Sequence, residues 1–298
     1  MVPKMHDDEV ETNAAMVRRL LAGKFPAWAA LPIAGVASAG TDNALYRLGS
    51  DMVVRLPRIH WAVDGVAREQ RWLGPLAPHL PVPIPTPLGQ GVPGEGYPWP
   101  WSVYRWLPGD NPVVGHIADA GGLARDLAGF VAALHRIDPS DGPLGRRGEP
   151  LADRHDRTTA SLDALVGVID TDTAAVIWRQ ARDTPIWPGQ GVWIHGDLSP
   201  GNVLLVEGRL AGVIDFGGIG LGDPAADMSA AWNLLPREAR PVFRRTLAVD
   251  DDTWARGRGW ALSVAVNQMP YYRDTNPSLM ANSRYVINEV LHDYATAG

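Results

Sequence analysis

Between Trp193 and Phe216 the chain reads WIHGDLSPGNVLLVEGRLAGVIDF, and three oxygen-bearing side chains, Asp197, Asn202 and Asp215, follow one another at five and then thirteen positions. Asp197 and Asn202 lie in a Pro/Gly-bearing loop between the β-like runs VWIH and NVLLV, while Asp215 ends LAGVI. A hairpin would bring all three to one end of its strands. Such a trio suits phosphoryl transfer. Mg²⁺ takes oxygen ligands around an octahedron and keeps much of its water, so one amide and one carboxylate, Asn202 and Asp215, suffice beside a nucleotide's phosphates. Asp197 is then left to accept the proton of an attacking hydroxyl. An ordinary pKa of about 4 makes it a weak base, which implies positioning and late proton transfer. HGD or DFG alone would be common; HGDLSPGN followed at this distance by DFG is far more specific. The plain alternative is a turn opened by Asp197 and completed by Gly201 and Asn202, with Asp215 capping a strand. His195 reads as a support for the loop, hydrogen-bonded within the core.

Holding such a loop against a triphosphate takes further elements. An opening helix over DDEVETNAAMVRRLLAG is expected, acids early and arginines late as the macrodipole favours. PIAGVAS, NALYRLG and DMVVRLP read as three strands. The SAGTDN connection sets small residues and backbone N–H groups at Ser38, Gly40 and Thr41, where a compact loop could cover phosphates. Asp42 would repel them unless it points away, and the segment equally reads as an ordinary turn. Arg55 sits mid-strand in VVRLPR, where a basic side chain is costly unless paired. The next helix, AVDGVAREQRWLGPL, offers Glu69, and an Arg55–Glu69 pair would aim the guanidinium at the α- and β-phosphates. A surface ion pair of little value is the alternative.

LPVPIPTPLGQGVPGEGYPWP excludes a central helix and suggests an extended traverse with one edge strand. WSVYRWL follows as a strand broken by PGD, so Arg105, Trp106 and Leu107 are expected to form either a connector whose backbone meets adenine or a simple linker. That divides the chain into an N-terminal lobe over 1–106 and a C-terminal lobe over 107–298. Beyond Asn111, five segments carry helical spacing: IADAGGLARDLAGFVAALHRI, RTTASLDALVGVI, TDTAAVIWRQARD, DDTWARGRGWALSVAVNQM and PSLMANSRYVINEVLHDY. GLGDPAADMSAAWNLL is expected to start another helix, Asp223 capping it or bonding back to the catalytic loop and Asp227 doing likewise or facing a substrate. Acids in SDGPLG, ADRHD and DDTW either ring a cationic substrate or mark a solvated face.

The 298 residues, 46% hydrophobic and 20% charged, allow a core large enough for two lobes. A formal charge of -6 gives no reason to expect nucleic acid as a partner. Cysteine is absent, which removes disulfides, thiolate metal sites and cysteine nucleophiles and is compatible with a reducing cytoplasm. No apolar run reaches the roughly 18 residues of a membrane span, and MVPKMHDDEVETN is acidic where a signal peptide would be basic then apolar. The expectation is a soluble cytoplasmic protein with no membrane or protein partner. Most of the twelve tryptophans are expected in plain packing.

Taken together, GTDNALYRLG, DMVVRLPR, PWPWSVYRWLPG, VWIHGDLSPGNVLL, GVIDFGGIGLGDPAADMSAAW and WARGRGWALS resemble the aminoglycoside phosphotransferase family, in the wider group that includes choline kinases and homoserine-kinase-like enzymes. The resemblance implies an α+β, protein-kinase-like two-lobed fold: an N-lobe antiparallel sheet with one main helix, above a mostly helical C-lobe. It implies ATP, with GTP as the alternative nucleotide, and Mg²⁺. Asp197 would be the catalytic aspartate, Asn202 and Asp215 the metal ligands, and Arg55 the nucleotide-phosphate contact with Glu69 behind it. SAGTDN stands where protein kinases have G-x-G-x-x-G, Arg55 stands where lysine is more usual, and no segment ends in Ala-Pro-Glu. These departures favour a small acceptor over a protein. The expected activity is O-phosphorylation of a hydroxyl on an aminoglycoside, amino alcohol, sugar or macrolide, with antibiotic resistance as one role. A pseudokinase-like nucleotide-binding module is the non-enzymatic alternative.

Overall fold

Alternating burial along one strand organises the N-terminal half of the chain. In the computed structural model, which describes residues 8–36 and 40–297, strands β1 (Ile33–Gly35), β2 (Asn43–Leu48), β3 (Met52–Pro57), β4 (Pro87–Gly91) and β5 (Trp101–Arg105) form one antiparallel sheet in the order β1-β2-β3-β5-β4. Met52, Val54 and Leu56 are buried with Tyr46, Leu48, Trp101 and Val103 against Val17, Leu20 and Leu21 of helix α1 (Ala14–Lys24). The two-residue period of a strand sends Arg55 to the opposite face, beneath helix α2 (Val63–Leu76), with Leu45 and Ser102 as its cross-strand neighbours. The proline-rich traverse supplies β4 at the sheet edge, where missing donors do least harm.

Helix α1 starts later than its sequence suggests. Asn13 caps it, accepting from the Met16 N–H at 2.9 Å, and its first turn holds no acid. Of the acids before it, Glu9 docks on the sheet instead: it is buried and pairs with Arg58, and the Val10 N–H donates to the Arg58 carbonyl at 2.8 Å. Hydrogen bonds to a buried charge outweigh the few tenths of a kcal/mol, roughly, that a dipole contact offers.

The remainder is mostly helical, with α3 (Ala120–His135), α4 (His155–Asp163), α5 (Thr171–Asp183), α6 (Ala225–Met228), α7 (Ala230–Asn233), α8 (Arg240–Leu247), α9 (Asp251–Tyr271) and α10 (Pro277–Ala297). Phe130, Trp193, Trp232, Phe243 and Trp260 fill its core. Four short strands, β6 (Val192–Ile194), β7 (Val203–Val206), β8 (Arg209–Val213) and β9 (Gly220–Gly222), make two ribbons. VWIH does not pair with NVLLV: β6 pairs with β9, and β7 with β8. GLG is therefore a strand and not a helix start. Gly220 and Gly222 permit it, because a Cβ there would come within 2.5 Å of Gly145 N and Gly148 Cα respectively. Among the described residues no helix is long and apolar enough to cross a membrane.

The last helix is locked by charge. Glu289 accepts from Arg237 Nη2 at 2.6 Å and from the buried Arg240. Burial would raise its carboxyl, but the two guanidiniums outweigh that and hold it below the ordinary 4.5. A depressed pKa contributes stability that is complete above the unfolded value and fades as pH falls through the folded one. Glu289→Gln should cost about 2 kcal/mol at neutral pH, and in urea titrations the gap to wild type should narrow as the solution is acidified past 4.5. A gap indifferent to acidification would rule out this ion cluster as its source.

Candidate active site

The HGDLSPGN segment joins β6 to β7 with only a short 3₁₀ turn of its own, so side chains from elsewhere must hold it. Asp227 on α6 does so. It is fully buried, its Oδ1 accepts from the Gly196 N–H at 2.7 Å, its Oδ2 from the His195 N–H at 3.2 Å, and His135 Nε2 at the end of α3 lies 3.0 Å from Oδ2. Of the two acids expected at that helix, Asp227 is thus the one that bonds back to the loop. Asp223 instead accepts from the Ala225 N–H at 2.9 Å and pairs with Arg256 at 2.6 Å. Gly196 adopts φ +74°, a conformation that costs glycine little. The His195 ring accepts from the Asp197 N–H through Nδ1 at 3.2 Å and donates from Nε2 to the Ile214 carbonyl at 3.1 Å, as a loop support would.

The β7–β8 ribbon brings two more oxygens to this point. Val203 pairs with Val213 at its open end, and the Ile214 N–H donates to the Asn202 carbonyl at 2.9 Å. Asn202 precedes the ribbon and Asp215 follows it, so both stand at one end. Asn202 Nδ2 donates to the Asp197 carbonyl at 2.8 Å and to Asp197 Oδ2 at 3.1 Å. That commits the amide nitrogen and leaves Oδ1 for a cation. Asp215 has φ +63°, a region where non-glycine residues are uncommon, and its side chain is 39% exposed. Among the described residues no group of three or more His, Cys, Asp or Glu could hold a metal. Asn202 and Asp215 fit Mg²⁺ only as a partial set completed by phosphate and water, which is the coordination that ion prefers.

Arg55 closes the site from the sheet. Its Nη1 donates to Glu69 Oε1 and Oε2 at 2.5 and 2.6 Å, and its Nη2 pairs with Asp215. With the Asn43 amide oxygen facing the guanidinium, Asn43 accepts from Nη2 at 2.8 Å and Nε at 3.3 Å. Burial disfavours the charged guanidinium, yet Asp215, Glu69 and Tyr104 outweigh it and hold its pKa above the usual value. Burial, followed by the Glu69 charge, pushes the Tyr104 phenol up, so it donates to Glu69 Oε2, at 2.5 Å.

The phosphate-loop expectation is described only in part, because Ser38 lies outside the described residues. Thr41 Oγ1 donates to Asp42 Oδ1 at 2.9 Å and accepts from Tyr272 at 3.2 Å; Gly40 precedes it without regular structure. Burial pushes the Tyr272 phenol up to about 12, which keeps it a donor. Asp42 also receives Trp61 Nε1 at 3.2 Å and faces Arg146 at 3.9 Å. In the connector, the Arg105 N–H goes to the Thr86 carbonyl at 3.0 Å and the Trp106 N–H to the Asp51 carbonyl at 2.7 Å. Leu107 follows, its Cδ1 facing Gly212 of β8.

Sequence reasoning missed four partners. Tyr104 could have been found, since it stands two residues from Ser102 on the face that Arg55 shares. Asn43, His135 and Arg147 carried no signal: Arg147 lies fifty residues before the aspartate it meets, in the motif-free GRRGEP. Arg147 Nη1 donates to Asp197 Oδ1 at 2.6 Å. Partial burial of Asp197, whose side chain is 44% exposed, would raise its carboxyl, but Arg147, then His195 and Asn202, hold it below the ordinary value.

A five-stranded sheet with one helix beneath it, set over a helical lobe and meeting it at an acid–amide–acid cluster, has the architecture of the kinase-like phosphotransferases. The profile of the phosphotransferase enzyme family (APH) matches residues 34–260, and the chain belongs to that family. It is 34% identical over 131 residues to an aminoglycoside 3'-phosphotransferase of Escherichia coli, a match covering 41% of this chain and 46% of that protein. The chain spans about half the length of the curated relatives it matches. Among solved structures, the GDP and kanamycin complex of APH(2")-IIIa superposes with a TM-score of 0.75 at 19% identity, covering 93% of this chain and 98% of that one. The apoenzyme of macrolide 2'-phosphotransferase MphH from Brachybacterium faecium gives 0.61 at 24% identity, covering 91% and 96%. These likenesses establish the two-lobed α+β fold.

Removing the Asp227 carboxylate strands two loop N–H groups in a dry core. Asp227→Ala should cost about 3 kcal/mol in chemical denaturation and speed hydrogen exchange at Gly196. A cost below about 1 kcal/mol, the size of an ordinary hydrogen bond, would show that the loop is held by something else.

Proposed function

We propose that this protein is an ATP- or GTP-dependent phosphotransferase acting on a hydroxyl of a small molecule. The observation that carries the reading is the 3.1 Å contact between Asn202 Nδ2 and Asp197 Oδ2, with Asn202 joined through the β7–β8 ribbon to Asp215. It puts a carboxylate able to receive a hydroxyl proton beside an amide and a second carboxylate able to share a cation. In this reading Asp197 orients the acceptor hydroxyl and takes its proton late. Asn202 Oδ1 and Asp215 would hold Mg²⁺, which when bound neutralises charge on the β- and γ-phosphates. Arg55, now paired with Asp215, would turn its Nη2 to phosphate while Glu69 keeps hold of Nη1. Gly40 and Thr41, with Ser38, would cover the phosphates. At the connector, Trp106 lies against the Arg47 guanidinium, Arg105 is exposed and pairs with Asp51 where the sequence suggests packing, and Leu107 would offer its backbone to the base.

We also take Trp106 as the last residue of the N-terminal lobe. Support comes from its N–H, which bonds back to Asp51 of the sheet side, whereas Asp110 exchanges N–H···O bonds with Leu205 of β7 at 3.0 and 2.8 Å. A cytoplasmic location is in keeping with a chain without cysteine.

For the acceptor, kanamycin in the APH(2")-IIIa complex supports a polyhydroxylated cation. A less cationic acceptor such as a macrolide is the second reading, favoured by the arginine on Asp197 and by acids committed elsewhere. Asp156, Asp251 and Asp252 occupy the first turns of α4 and α9, where the helix dipole accounts for them.

Product formation from Mg-ATP and Mg-GTP should be screened against kanamycin, gentamicin, streptomycin, a macrolide and simple amino alcohols. Transfer to at least one is expected, with Asp197→Ala lowering turnover by about 10³-fold while nucleotide binding persists. Asp215→Ala should instead weaken Mg-nucleotide binding about tenfold or more in calorimetric titration. Nucleotide binding with transfer to none would leave the pseudokinase-like module as the better account.

A further inference from the structure

Residues 195–202, HGDLSPGN, include no lysine or arginine, yet a guanidinium stands against their aspartate. Arg147 Nη1 donates to Asp197 Oδ1 at 2.6 Å and also to the Gly196 carbonyl. Both bonds use one nitrogen of a fork that has five N–H groups, and the side chain is 24% exposed. The arm that carries it is fastened on both sides. The Arg146 N–H donates to the Gly218 carbonyl at 3.1 Å, the Gly145 N–H to the Leu221 carbonyl at 2.9 Å, the Leu221 N–H to the Pro143 carbonyl at 2.6 Å, and the Gly148 N–H to the Gly145 carbonyl at 3.0 Å. An incidental surface pair has no such scaffold and is worth little.

We propose that Arg147 is a positioning residue for phosphoryl transfer: gripping one oxygen of Asp197, it aims the remaining lone pairs of that carboxylate at the acceptor hydroxyl. The inference rests on the function proposed above. In the reaction the acceptor oxygen attacks the γ-phosphorus and a new O–P bond forms. The bond from phosphorus to the β–γ bridging oxygen breaks, and the nucleoside diphosphate leaves with that electron pair. The hydroxyl proton passes to Asp197 and on to solvent. Asp197 enters this step with Oδ1 shared with Arg147 and Oδ2 shared with Asn202. A carboxylate accepts about four hydrogen bonds, so the two existing ones fix where the others point. With Arg147 removed, only the Asn202 bond restrains the carboxylate against rotation, and a misplacement of about 1 Å at a reacting group costs about 10²-fold.

The full chain is assayed with Mg-ATP and Mg-GTP, using kanamycin, a macrolide and water as acceptors, in wild type, Arg147→Ala, Arg147→Lys and Asp197→Ala. Arg147→Ala should lower kcat about 10²-fold while the nucleotide KM stays within about twofold. Added guanidinium should restore part of the loss saturably, and Arg147→Lys should fall between the two. If Arg147→Ala melts far below wild type, Arg147→Lys carries the test, with a lowered kcat and an unchanged nucleotide KM expected. The inference is overturned by a kcat within about threefold of wild type, by a loss confined to nucleotide KM, or by a loss that neither guanidinium nor lysine relieves. A wild type that transfers to no acceptor sinks the proposed function together with it; an impaired Asp197→Ala beside an unimpaired Arg147→Ala rejects the role of Arg147 alone.

Discussion

A guanidinium held under a helix is the constraint on which the site depends. Arg55 is only 15% exposed along its side chain, so its charge is tolerable there only if each nitrogen has a partner. Glu69 of α2, Asp215 after β8 and Asn43 of β2 provide them. Taking one partner from a buried ion pair costs about 3–5 kcal/mol, so α2, the sheet and the open end of the β7–β8 ribbon are bound into one unit. The fit is close elsewhere along α2: a Cβ on Gly65 would come within 3.1 Å of Gly217 Cα. A side chain at Gly65 would require the Gly217 backbone to give way by a few tenths of an ångström.

Asp197 belongs to a different unit. Its loop hangs from Asp227, which is anchored in turn through His135 and the helical lobe. Asp197 and Asp215 thus take their positions from separate scaffolds, joined at Asn202 and Ile214. This division explains the strain at Asp215. Its left-handed backbone is sustained because β8 fixes one side and the fully buried Phe216, packed edge-on against His195 with ring centroids 4.7 Å apart, fixes the other. Tyr272 and Arg68 tie the scaffolds again at the periphery, the first through Thr41 and the second through the carbonyls of Leu144 and Ile219 at 2.9 and 2.8 Å.

How much of this could be seen in the sequence depends on the range of the interaction. The gathering of Asn202 and Asp215 follows from a local hairpin, and the Arg55–Glu69 pair from a strand-to-helix step of fourteen residues, so both were legible. The long helices were legible because capping and apolar spacing agree, as at Asp119, whose carboxylate accepts from the Gly122 N–H at 2.7 Å. What stayed hidden is set by tertiary contact. The pairing of β6 with β9 rests on glycines that admit the 143–148 loop, and glycines in GLG read equally well as a turn. The start of α1 was lost to an ion pair forty-nine residues away. In sequence Asp227 is a candidate for the loop beside Asp223, and only the fold decides between them; Arg147 resembles any surface base until the fold aims it.

The same range argument bears on charge near the acceptor. DDTW reads in sequence either as part of an acidic ring or as a solvated face, and α9 runs 21 residues from Asp251 to Tyr271, roughly 30 Å at 1.5 Å per residue. The residue after that helix, Tyr272, touches Thr41 just before β2. Asp251 and Asp252 therefore sit at the far end, several Debye lengths of about 8 Å away, and would exert almost no pull on a cation near Asp197. The charges on this side of the molecule include Arg55, Asp215, Asp42, Arg146 and Arg147, a mixed set in which Arg146 is tied by its backbone N–H to Gly218 and Arg147 by its side chain to Gly196 and Asp197. In the proposed reading, an acceptor would be selected at this site by where its hydroxyl can meet Asp197, more than by how many positive charges it carries.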